Sequence, residues 1–212
     1  DSILDILQNF VHLANEEEFF FNEKTQKIDT KKSEKLIFPR YHQLNLIKKF
    51  RSQIKKDGVG NNYLVQHTTG SGKSYSIGWL SHTLTSLYQK EGDTKRMFDS
   101  IIVVTDRKVL DNQLQKTIDD LKKNKGVVYP VEKGSSDLKK FLESGKDIII
   151  STIQKFPQIS DTISSLGDKR FAVIIDEVHS SQSGQLSKEL KKSLTKDDDE
   201  VGFDFEDLIH EE

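Results

Sequence analysis

His67-Thr68-Thr69-Gly70-Ser71-Gly72-Lys73-Ser74, read with Phe171-Ala172-Val173-Ile174-Ile175-Asp176-Glu177-Val178-His179 downstream, decides the fold. The first stretch follows the strand-like Tyr63-Leu64-Val65-Gln66 and opens a helical pattern. Its backbone N–H groups therefore converge at a helix N-terminus, where phosphates bind. Thr69, Gly70, Ser71, Gly72, Lys73 and Ser74 retain the groups that touch phosphate, although His67 stands where such loops usually carry a first glycine. The glycines let the backbone close around the phosphates, Lys73 brings positive charge to the β- and γ-phosphates, and Ser74 offers a hydroxyl to Mg2+. The second stretch is a buried strand that delivers Asp176 and Glu177 at its carboxyl end, where ligands of open α/β sheets bind. Asp176 is suited to hold Mg2+ directly or through water, and Glu177 to orient or deprotonate an attacking water. His179 either senses the nucleotide or is an ordinary surface histidine.

Working outward from Asn62, short apolar runs alternate with longer amphipathic ones, the pattern of a parallel sheet with crossover helices. Expected strands are Tyr63–Gln66, Ile101–Thr105, Asp147–Ser151 and Phe171–Asp176, with a weaker one at Gly126–Tyr129. Expected helices are Lys73–Gln89, Val109–Lys122, Asp137–Ser144 and Thr152–Leu166. Upstream, Ile3, Leu4, Ile6, Leu7, Phe10, Val11 and Leu13 predict an amphipathic packing helix over 3–13, and Leu44, Ile47 and Phe50 a second helix closed by Lys56–Gly60. Asn15–Lys35 is charged and, apart from Phe19, Phe20 and Phe21, without clear periodicity, and reads as a linker or extended crossing segment at the domain boundary. The fold class is α/β, a parallel sheet sandwiched by helices of the P-loop nucleotide-binding kind, with a short helical N-terminal extension.

Phe38-Pro39-Arg40-Tyr41-His42-Gln43 adds a carboxamide beside aromatic and cationic planes. Gln43 is suited to read adenine, donating to N7 and accepting from the 6-amino group, while Arg40 or a nearby ring stacks on the base. Two further strand ends, Thr105-Asp106-Arg107-Lys108 and Ser151-Thr152-Ile153-Gln154-Lys155, bring hydroxyls and cations to the same sheet edge. Such groups suit the phosphates of a polymer, and Asp106 and Thr152 equally suit helix capping.

The chain has 212 residues, 32 basic and 34 acidic, for a formal charge of −2. Nine of the acids lie in 197–212, so the remainder carries 32 basic against 25 acidic residues, or +7. That is compatible with a polyanionic partner. Cysteine is absent, which excludes disulfides and thiolate metal sites, and the cytoplasm is the default compartment. No apolar run approaches the roughly 20 residues of a membrane span, so no membrane partner is expected. With Asp1 first and Met97 the single methionine, the chain reads as an excised piece of a longer protein.

Taken in order, Phe-Pro-Arg-Tyr-His-Gln, His-Thr-Thr-Gly-Ser-Gly-Lys-Ser, Val-Thr-Asp-Arg-Lys-Val-Leu-Asp-Asn-Gln, Ser-Thr-Ile-Gln-Lys-Phe and Asp-Glu-Val-His-Ser-Ser-Gln resemble superfamily 2 helicase motors. More narrowly, residues 1–190 resemble the restriction subunit of type I restriction endonucleases. The resemblance implies a first RecA-like lobe at 36–196, preceded at 1–35 by a helical linker from an upstream nuclease domain and followed at 197–212 by an acidic loop toward a second lobe. It implies ATP and Mg2+ bound through Gln43, Lys73, Ser74, Asp176 and Glu177. It also implies duplex DNA contacted by Thr105, Arg107, Thr152 and Lys155, and methylation and specificity subunits as partners. The second lobe of such motors supplies an arginine worth about 10³–10⁵-fold in related phosphoryl transfers, so this lobe alone is expected to hydrolyse ATP poorly. Other readings are a different DNA or RNA helicase of the superfamily, a small-molecule P-loop kinase, and a nucleotide-binding module without catalysis.

Overall fold

Ser100–Thr105, the run Ser-Ile-Ile-Val-Val-Thr, is buried along its whole length, as a strand must be that has helices on both faces of its sheet. The computed structural model describes residues 3–23, 25–68, 70–105, 108–121, 127–132, 134–155, 166, 167 and 169–176. In chain order the elements are α1 (Ile3–Asn9), β1 (His12–Asn22), β2 (Lys27–Ile37), α2 (Tyr41–Asp57), α3 (Lys73–Thr85), β3 (Ser100–Thr105), α4 (Lys108–Asp120), β4 (Val128–Pro130), α5 (Ser135–Glu143), β5 (Ile148–Thr152) and β6 (Phe171–Ile175). A 3₁₀ turn, Ile153–Lys155, follows β5.

The main sheet has the order β4-β5-β3-β6, with all three pairings parallel. The two-residue period of the strands sorts their side chains onto two cores. Ile101, Val103, Ile148 and Ile150 face one way and pack with Ile47 and Ile54 of α2, Ile77 of α3, and Leu114 and Ile118 of α4. Ile102, Val104 and Ile149 face the other way, onto Leu138 and Leu142 of α5. Gly78 permits the close approach of α3 to α4: a Cβ there would stand 2.6 Å from Leu121 Cδ1. The expected α/β sandwich is therefore present, with the expected strands and helices at β3, β4, β5, β6, α3, α4 and α5 displaced by a few residues at their ends.

Four expectations differ from the structure. Tyr63–Gln66 is not a strand. Its segment is fastened to α2 instead, with Tyr63 Oη donating to Asp57 Oδ2 at 2.9 Å and its ring 5.3 Å from that of Phe50. The helix expected over 3–13 stops at Asn9, and the linker expected over Asn15–Lys35 is largely an antiparallel ribbon, with Leu13 paired to Leu36 and Phe21 to Ile28. Among its described side chains the buried ones are at its base, His12, Ala14 and Ile37, while Phe10 O accepts a hydrogen bond from the buried Trp79 Nε1 at 3.1 Å. The ribbon turns at Gln26, whose φ of 54° is in the left-handed region, and Gln26 Nε2 closes the turn on Glu23 O at 2.9 Å. The helix expected over Thr152–Leu166 is a 3₁₀ turn as far as Lys155, and 156–165 lie outside the described residues, as does 177–212.

This division predicts unequal responses to truncation. Ile150→Ala, in the fully buried middle of β5, should lower stability by about 2–5 kcal/mol. Phe19→Ala, at a ribbon side chain that is 72% exposed, should stay within about 0.5 kcal/mol, both read from urea midpoints at constant slope.

Candidate nucleotide site

The site lies where the N-termini of α2 and α3 meet the carboxyl ends of β3 and β6. Gly70 and Gly72 hold φ of 76° and 84°, values that side chains disfavour, and Gly72 forms the left-handed N-cap of α3. No side chain caps that helix, so its N-terminal dipole faces the loop's interior, a setting that favours an anion.

Residues at the start of α2 hold the outer side of the loop by its carbonyls. Arg40 Nη1 donates to Gly70 O at 3.4 Å, His42 Nε2 to Ser71 O at 3.0 Å, and Gln43 Nε2 to Gly72 O at 2.9 Å. A carbonyl can only accept, so His42 carries its proton on Nε2. The other end of the Gln43 carboxamide accepts from Arg40 N at 2.8 Å, and the side chain is only 3% exposed. A Cβ at Gly72 would lie 2.6 Å from Gln43 Nε2, so any side chain there would displace the Gln43 carboxamide. Both ends of Gln43 are thus engaged by backbone, and the carboxamide expected to read adenine serves here to position the loop. His67, in the place of the usual first glycine, sets Nδ1 3.1 Å from Ser71 Oγ with its ring 6.0 Å from that of His42. Burial, then the nearby His42 and Lys73 charges, hold its pKa below the ordinary histidine value.

Across the site, Lys73 Nζ stands 3.6 Å from Asp176 Oδ1, with side chains 41% and 14% exposed. The phosphate loop and the end of β6 thus meet. Asp176 Oδ1 is buried without a hydrogen-bond partner among the described residues, the condition of a carboxylate oxygen that a hard cation would satisfy. Ser74, next to Lys73 in the first turn of α3, supplies a hydroxyl from the same helix end. These residues fit Mg2+.

Thr69, Arg107, Glu177 and His179 lie outside the described residues. Thr105 and Thr152 are in-register partners at the ends of β3 and β5, 2% and 3% exposed, so their hydroxyls are covered and do not present themselves to a polymer's phosphates. Lys155 Nζ donates to Val131 O, which ties its ammonium to the end of β4. The part played by His42 went unread in the sequence. Its signal was proximity to Arg40 and Gln43 on the first turn of a helix facing a phosphate loop.

Residues 42–203 match the family model of the SWI2/SNF2 ATPases. A putative type I restriction enzyme MpnIIP endonuclease subunit, C-terminal part, from Mycoplasma pneumoniae is 30% identical over 168 residues, 71% of this chain and 76% of that protein. The type I restriction enzyme SauCOLORF180P endonuclease subunit of Staphylococcus aureus is 29% identical over 138 residues, 63% of this chain, and this match spans 14% of its length. A putative type I restriction enzyme MjaVIIIP endonuclease subunit of Methanocaldococcus jannaschii is 26% identical over 229 residues, 96% of this chain and 20% of that protein. The chain belongs to the SWI2/SNF2 ATPase family and, within its helicase-like motors, to the endonuclease subunits of type I restriction enzymes.

Proposed function

We propose that this lobe binds ATP with Mg2+ and is the nucleotide-binding part of an ATP-driven duplex DNA translocase in a DNA-cleaving restriction complex. The observation that carries this reading is the approach of Lys73 Nζ to Asp176 Oδ1 at 3.6 Å, which joins the phosphate loop to the carboxylate at the strand end. Lys73 would shift from Asp176 to the β- and γ-phosphates, while the N–H groups of the loop and of the first turn of α3 bind phosphate oxygens. Ser74 and Asp176 would hold Mg2+, which draws charge off the phosphates when bound. Glu177, adjoining Asp176, would orient the attacking water, and His179 would relay nucleotide state toward the DNA-facing segments. Adenine selection by Gln43 requires its carboxamide to leave Gly72 or Arg40; Arg40, on the exposed side of the loop, is the nearer stacking partner for a base. Duplex DNA would pass over the segments after β3 and β5, with Arg107 as the cation and Lys155 joining it on release from Val131. Methylation and specificity subunits would complete the complex in the cytoplasm.

ATP turnover by the complete protein that carries this chain, with and without linear duplex DNA, tests the reading. Stimulation by DNA is expected, and Lys73→Ala should reduce it by on the order of a hundredfold or more. Turnover indifferent to DNA, or unchanged by Lys73→Ala, would return a kinase-like or regulatory module to first place.

The two loop glycines separate backbone strain from the hold of Gln43. Gly70→Ala meets nothing within 4 Å and should cost about 1–2 kcal/mol for its φ alone. Gly72→Ala displaces Gln43 as well, so it should lose more stability and most nucleotide affinity, measured by thermal melting and by equilibrium binding of a fluorescent ADP.

A further inference from the structure

β3 and β6 run in parallel register with Val104 opposite Ile175, and Asp176 N continues the ladder by donating to Val104 O at 2.9 Å. Thr105 therefore stands beside Asp176 one step further on, with neighbouring strands about 4.8 Å apart. The period of two places both side chains on the same face. Thr105 follows Ile101 and Val103, and Asp176 follows Ala172 and Ile174, all packed on the core that α3 covers. Both side chains end in a buried atom without a hydrogen-bond partner among the described residues, Thr105 Oγ1 and Asp176 Oδ1, the latter 3.6 Å from Lys73 Nζ. One is a donor and the other an acceptor. A buried hydroxyl that makes no bond is destabilising by itself, so its retention calls for a state in which it is satisfied.

We propose that Thr105 is a positioning residue of the nucleotide site, its hydroxyl donating to the Asp176 carboxylate when Lys73 moves from Asp176 to phosphate. This rests on the nucleotide-site reading above. With Lys73 at 3.6 Å, Asp176 is oriented by the ion pair. Once Lys73 leaves, the carboxylate needs another partner to keep one oxygen aimed at Mg2+, and the Thr105 hydroxyl is the buried donor in the same row. The role is distinct from contact with DNA, which the 2% exposure of Thr105 disfavours.

The test follows binding of a fluorescent ADP to the complete protein as Mg2+ is titrated, beside melting without ligand and DNA affinity without nucleotide. Thr105→Val removes the hydroxyl at nearly constant shape, and should raise the Mg2+ needed for half-maximal binding about tenfold. It should leave the ligand-free melting temperature equal or higher, because an unsatisfied donor has been replaced by a methyl group. Thr105→Ser, which keeps the hydroxyl, should stay near the wild-type Mg2+ requirement, and DNA affinity should not change in either. An unaltered Mg2+ requirement in Thr105→Val overturns the proposal, as does a loss of DNA affinity in its place. If Thr105→Val does not fold, Thr105→Ala gives the same comparison; ligand-free destabilisation by both with no change in Mg2+ requirement would assign Thr105 to structure alone. Failure of the wild-type protein to bind magnesium nucleotide would remove the nucleotide-site reading, and this inference with it.

Discussion

Parallel pairing of β3 with β5 on one side and β6 on the other is the constraint from which the site follows. In a parallel sheet all carboxyl ends lie at one edge, and the evenly spaced ladder keeps residues of equal register in a row. Thr152, Thr105 and Asp176 form such a row, and its position is set by apolar residues that never touch a ligand. Ile148, Ile150, Ile101 and Val103 are essentially inaccessible to solvent, and a slip of one residue in any strand would turn its apolar set onto the wrong core. The chemistry at the edge is therefore indexed by packing in the middle of the sheet.

The loop above that edge is held by its carbonyls from the start of α2. Gly70, Ser71 and Gly72 direct three successive carbonyls toward Arg40, His42 and Gln43 at the start of α2. Anchoring carbonyls on one side turns N–H groups toward the other, as an anion cradle requires, although Ser71 N donates within the loop to Thr68 O at 3.2 Å. α2 is in turn seated in the core by Ile47 and Ile54, so loop geometry is transmitted from a packed helix. Gln43 is the joint between them: it completes the capping box of α2 and touches the Gly72 carbonyl with the same carboxamide.

How much of this could be read beforehand depended on whether a residue's role was local. The glycine-rich turn into α3, the strand before Asp176 and the buried runs of β3 and β5 are announced by short-range pattern and lie where expected, with β6 half-buried rather than buried. The ribbon was illegible because β2 is exposed on both faces along most of its length, which removes the alternation that marks a strand, and because Gln26 makes the left-handed turn that glycine or asparagine would have signalled. Tyr63–Gln66 has the composition of a strand, yet Tyr63 finds Asp57 and Phe50 on α2, and side-chain contacts of that kind override propensity. The engagement of Gln43 by two backbone groups depends on a turn of helix and a loop meeting in space, and no local pattern encodes that meeting. Burial of Thr105 and Thr152 was similarly hidden, since hydroxyls at strand ends read as surface groups until the helices above them are placed.

The Lys73–Asp176 pair gives the ligand-free site its electrostatic logic. Asp176 is the less exposed partner, and a buried carboxylate is costly unless a cation stands near it. Lys73 meets that need from the mobile side: more than a third of its side chain is in solvent, so solvent screening weakens its hold and keeps it exchangeable. A nucleotide bound with a divalent cation would substitute one cation for another at Asp176 while giving Lys73 a phosphate, so neither charge need pass through an unpartnered state. The spacing of 3.6 Å, longer than a hydrogen bond, suits a contact that must be given up. An alanine at 73 would then do two things at once: it would remove the proposed phosphate ligand, and it would leave Asp176 without its charge partner among the described residues. Loss of nucleotide binding in that variant therefore reports on the pair, and only the ligand-free stability measured beside it separates the two contributions.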